Sequence, residues 1–111
     1  MAELATIQKQ LKIKAGVVQR YNKEMTLYRK EVVDLGGKLT RLVADGTEEW
    51  DVKNMKRMIE ESEKMILDTE TKLDKAKGEL KDLVKRVEGT PGVAASDEFV
   101  KAQGIVTEDT A

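Results

Sequence analysis

Six hydrophobic residues recur at every seventh position over the first forty-odd residues: Leu4, Leu11, Val18, Met25, Val32 and Leu39. A second row follows three places behind: Ile7, Lys14, Tyr21, Tyr28, Leu35 and Leu42. Eleven of these twelve positions are apolar or aromatic. After a gap the period resumes in Val52, Ile59, Ile66, Leu73, Leu80 and Val87. A repeat of seven held over five heptads requires a long helix that buries one seam against another helix. The chain is therefore read as all-α, a three-helix bundle dominated by two long antiparallel helices, with its function on surfaces rather than in a pocket.

The first helix is expected over residues 5–44, about 60 Å at 1.5 Å per residue. Gly36-Gly37 falls outside the seam and predicts a soft spot rather than a break. Asp45-Gly46-Thr47 forms the turn, with Thr47 or Asp51 as the cap of the second helix, expected over 48–87. Glu48 and Glu49 suit the positive end of its dipole. Gly89, Pro91 and Gly92 end it. Ser96 then caps a short helix over 97–106, with Phe99, Ala102 and Val106 facing the hairpin. The expectation is one helical domain over 1–106 and a disordered tail at 107–111.

Composition narrows the class. Charged residues make up 37% and aromatics 4%, as in long-helix proteins. No cysteine is present, so no disulfide framework exists and a reducing compartment is the default. The N-terminal residues lack the apolar core of a signal peptide and no 18-residue apolar run occurs, so a cytosolic chain without membrane contact is expected. The net charge of −1 conceals an asymmetry: residues 1–44 carry nine Lys/Arg against four Asp/Glu, residues 45–88 ten against thirteen, and residues 89–111 one against four. A basic helix beside an acidic one accounts for this internally; it also fits an acidic partner.

Catalysis finds little material. Histidine and cysteine are absent, which removes the commonest acid–base groups, nucleophiles and transition-metal ligands. Glu60, Glu61 and Glu63 point in different directions around a helix and read as a solvated face. Gly36-Gly37-Lys38 lacks the GxxxxGK[ST] spacing of a phosphate loop. No cofactor or metal is expected, and no nucleic acid, because the basic residues are not interleaved with stacking aromatics.

The outer surfaces are more informative. Lys9, Lys12, Arg20, Lys23, Lys30 and Arg41 face away from the first seam, and Ile13 and Leu27 share Arg20's row. A third helix of about ten residues spans only about 15 Å. It starts near the N-terminus of the first helix and leaves the turn-proximal half two-stranded. Leu27, Val33, Met58, Met65 and Leu67 continue there outside the seam, and an uncovered apolar strip of this kind marks an interface.

The stretch Ile13-Lys14-Ala15-Gly16-Val17-Val18-Gln19-Arg20, followed by Lys23-Glu24 and Tyr28-Arg29-Lys30-Glu31, resembles the first helix of the tubulin-folding cofactor A family. Gly46 with Trp50-Asp51-Val52-Lys53 is similar to the family's turn, and Glu61-Ser62, Met65-Ile66, Asp68 and Lys72-Leu73 to its second helix. The resemblance covers residues 9–87. Leu67 stands where the family often has proline, and the third helix is shorter and poorer in charge than usual.

The resemblance implies a non-enzymatic chaperone that captures and stabilises β-tubulin folding intermediates before the αβ heterodimer is assembled. It implies cytoplasmic, cytoskeleton-associated work, with other tubulin-folding cofactors as further partners. Tubulin's acidic surface would suit the basic first helix. The β-tubulin-binding set then comprises Lys14, Arg20, Lys23, Glu24, Leu27, Lys30, Glu31, Val33, Trp50, Met58 and Met65. The competing reading is a coiled-coil scaffold or tether; monomer and homodimer both stay open.

Overall fold

The computed structural model describes residues 2–108. Three helices appear in order: α1, Ala2–Ala44; α2, Glu49–Val87; and α3, Asp97–Glu108. There is no strand among the described residues. All twelve predicted seam positions of α1 are buried or half-buried, as the heptad requires. α1 runs without interruption through Gly36-Gly37, where the Thr40 hydroxyl donates to the Gly36 carbonyl at 3.0 Å. α2 likewise continues through Leu67.

The ends of the helices follow from local chemistry. Gly46 adopts φ 68°, and two backbone bonds close α1 around it: the Gly46 amide donates to the Val43 carbonyl at 3.2 Å and the Thr47 amide to Leu42 at 3.1 Å. That pair is a Schellman closure, with glycine in the left-handed position. The position that opens α2 is Glu48, so Thr47 lies one residue too early and Asp51 already inside the helix, and the expected cap at Thr47 or Asp51 does not form. Glu48 opens α2 instead, its carbonyl accepting from the amides of Asp51 at 3.1 Å and Val52 at 3.3 Å. Asp51 lies inside the first turn with Glu49, where negative charge meets the dipole's positive end.

Pro91-Gly92 makes the next reversal. The Val93 amide donates to the Thr90 carbonyl at 3.1 Å, and Gly92 takes φ 83°, the pattern of a type II turn. Val93 is delivered into the core with no exposed surface. Ser96 caps α3 as expected: its Oγ accepts from the Phe99 amide at 3.3 Å and donates to the Val93 carbonyl at 2.6 Å. Phe99, Ala102 and Ile105 are the buried residues of α3. Val106, expected to be buried, is only half-buried, because Ile105 continues the three-residue spacing set by Phe99 and Ala102. Thr107 and Glu108 belong to the helix rather than to the expected disordered tail; the remainder of that tail, residues 109–111, lies outside the described residues.

The chain divides into two compact units. The closed unit combines the chain up to Tyr21 with the chain from Lys72 onward. It holds α3 and most of the apolar core: Leu11, Val18, Leu80 and Leu83 are essentially inaccessible, with Ala15, Val84, Val87, Phe99 and Ala102 packed among the buried residues. The hairpin unit, Asn22–Thr71, contains only stretches of α1 and α2 and the turn joining them. Its buried residues are Met25, Leu35, Ser62 and Thr69. Val52, Ile59 and Ile66 stay half-buried there, in a unit built from segments of two helices alone.

Candidate functional site

Nine of the predicted binding residues fall in the hairpin unit. On α1, Lys23 and Lys30 are exposed and share one row by their spacing of seven, with Leu27 beside them and 63% exposed. Glu31 is exposed and Glu24 half-buried. Val33 is 72% exposed, on a row nearer the opposite border of the seam. On α2, Trp50 stands in the first turn and is 69% exposed, while Met58 and Met65 are about 40% exposed.

The structure brings three of these together. Glu31 from α1 and Met58 and Met65 from α2 line one open groove of about 270 Å³, with Tyr28, Glu61 and Ser62. The sequence explains the concavity. Tyr28 is a large, half-buried seam residue, and the buried seam residue on α2 lining the same groove is only a serine, Ser62. Serine adds little volume beside Tyr28 and the two methionines that share the lining. Val33 and Trp50 do not line this groove, so the predicted apolar residues are distributed over more than one side of the hairpin unit.

The other two predicted residues belong to the closed unit. Lys14 is half-buried, and its ammonium lies 3.6 Å from the Glu79 carboxylate. Both side chains retain substantial solvent contact, so the pair contributes little stability. The Arg20 guanidinium lies 5.1 Å from the centre of the Tyr21 ring, a cation–π contact at an exposed position. In the same unit Val17, Tyr21, Lys72, Lys75, Ala76 and Glu79 line a second groove of about 280 Å³.

Two features escape a reading by hydrophobicity. Met55, Ser62, Thr69, Ala76 and Leu83 form a second row of seven on α2, and four of the five are buried. Its polar and small members mask it, although the three-residue offset from Val52 could have found it. Trp50, by contrast, is the only tryptophan of the chain and yet is exposed. Among the described residues, no group of three or more acidic side chains is arranged to hold a metal ion. Among the same residues, no helix is long and apolar enough to cross a membrane. The surface offers charge, apolar area and a groove, which suits recognition of another macromolecule.

Comparison with known proteins gives one consistent relationship. The family described as Tubulin binding cofactor A matches residues 6–106. The human tubulin-specific chaperone A is 32% identical over 95 residues, covering 86% of this chain and 85% of that protein. The tubulin-folding cofactor A of Arabidopsis thaliana is 33% identical over 87 residues, 78% and 76% of the two chains. The crystal structure of the Arabidopsis thaliana tubulin folding cofactor A superposes with a TM-score of 0.83 at 28% identity, covering 94% of this chain and 95% of that one. The human tubulin chaperone cofactor A gives 0.75 at 28% identity over 95% and 99%.

Proposed function

The chain belongs to the tubulin binding cofactor A family, and from that premise we propose that it is a tubulin-folding chaperone that captures β-tubulin on its way to the αβ heterodimer. The observation that supports this most is the outer strip of α1 in the hairpin unit, where Leu27 stands exposed beside Lys23 and Lys30. Apolar area holds a partly folded client by burial, and the flanking cations steer an acidic partner towards it. Glu24, Glu31, Val33, Trp50, Met58 and Met65 in the same unit, and Lys14 and Arg20 in the closed unit, complete the candidate set. The protein acts by binding alone, in the cytosol, with no cofactor.

The test is capture of newly released β-tubulin by the wild type and by Lys23→Glu combined with Lys30→Glu. Neither lysine lies in the seam, so helicity and melting should be unchanged. Capture should fall several-fold at low salt, chiefly through a slower association, and the difference should shrink as salt rises. A folded double variant that captures β-tubulin as well as the wild type would overturn this assignment of the strip.

A further inference from the structure

The groove of Tyr28, Met58, Ser62 and Met65 is rimmed by a charge opposite to that of the lysine strip. Its two ionisable lining residues besides the tyrosine are Glu31 and Glu61; no lysine or arginine lines it. The acidic character continues along the rows of these two residues, while Arg57 and Lys64 stand with Glu61 around the neighbouring hollow on α2. Seven residues before Glu31 is Glu24, and seven beyond Glu61 is Asp68. On these two rows within Asn22–Thr71, Lys38 is the single cation. Met58 and Met65 are themselves seven apart, so the apolar wall runs about 10 Å along α2, close to two helical turns.

We propose that this groove receives a basic amphipathic helix of a partner protein. Two packed helices leave a trough along their axes, and an amphipathic third helix fills such a trough with residues at i, i+3 or i+4, and i+7. The closed unit contains a short amphipathic helix of its own, α3, which buries Phe99, Ala102 and Ile105, each three residues after the last. The flexible thioether side chains of Met58 and Met65 adapt to apolar knobs of different shape. Glu31 and Glu61, both exposed, would meet lysines or arginines on the shoulders of the incoming helix and reject an acidic one. The inference builds on the protein-binding role proposed above but concerns the chemistry of one docking helix, whichever protein carries it.

The experiment uses two synthetic peptides of about 18 residues with the same leucine face, one with lysine and one with glutamate at the polar positions. Their affinity for the full-length chain is read by fluorescence anisotropy at low and high salt. The lysine peptide should bind and the glutamate peptide should not. Glu31→Lys with Glu61→Lys should weaken the lysine peptide about tenfold, by turning two attractions into repulsions. Met58→Ala with Met65→Ala should weaken it several-fold without changing its salt dependence. Asp74→Lys with Asp82→Lys, the same charge change on exposed positions of the closed unit, should leave it nearly unchanged. Equal binding of both peptides, or equal losses from the two acid-to-lysine pairs, would overturn the proposal. β-Tubulin capture is scored separately. Failure of the unsubstituted chain to bind the lysine peptide, with capture intact, would leave the function standing and remove the groove; peptide binding without capture would do the reverse.

Discussion

Glycines show how much a single residue decides here. Gly37 lies within α1 and is exposed, and a Cβ added to it would meet nothing within 4 Å. Gly37→Ala should therefore raise stability by about 0.5–1 kcal/mol, by restricting the unfolded chain without a native clash. Gly92 is the opposite case. It sits at φ 83°, and a Cβ there would lie 3.2 Å from Leu4 Cδ2, so Gly92→Ala should lower stability by more than Gly37→Ala raises it. Paired urea melts check both signs. Ser96 works at the same scale. Its one hydroxyl both accepts from Phe99 and donates to Val93, joining the Pro91-Gly92 turn to the first turn of α3.

At the scale of the helix, rows that look equivalent in sequence are not equivalent in energy. Leu80 and Ile66 occupy the same row of α2, yet Leu80 is fully buried and Ile66 half-buried. Leu80→Ala should cost about 2–5 kcal/mol, and Ile66→Ala clearly less, since less apolar surface leaves water in its case. Thermal melts of the two variants compare them directly. The heptad made the α1 seam legible, because every position of both rows carries a side chain that identifies it or, at Lys14, one long enough to lie along it. The second α2 row was not legible at Ser62 and Thr69, whose polarity argues against burial. Val93 was hidden for another reason: it lies in a connection, where periodicity has no meaning, and its burial depends on the Pro91-Gly92 turn. The exposure of Leu27, Val33, Met58 and Met65 could be foreseen from their places off the seam. The groove could not, because it depends on how Tyr28, Glu31, Met58, Ser62 and Met65 from two helices are set side by side.

For the whole molecule, core quality separates the two compact units. The closed unit buries large side chains from all three helices, whereas the hairpin unit has Met25 and Leu35 as its buried apolar residues. Local opening should follow that difference. Amide hydrogen exchange should be faster over residues 25–35 and 59–69 than over 11–18 and 76–84, measured by mass spectrometry under native conditions. Uniform protection across these four segments would show that both units open only in global unfolding. A more labile hairpin unit is compatible with its proposed work, since adaptable apolar surface is what a client or docking helix engages.

The Gly46 turn has a further consequence, for the order in which the protein is made. The hairpin unit is one uninterrupted stretch of chain, and its two helices are joined by a connection of four residues. It can begin to zip from that turn with little loop-closure entropy to overcome. The closed unit joins the N-terminal part of α1 to α3, as the bond between Gln8 and Glu98, 90 residues apart, illustrates. On the ribosome, the well-packed unit must therefore wait for α3 to be synthesised. The hairpin unit has all its residues in hand earlier, so the N-terminal turns of α1 go without their final neighbours until α3 has been made.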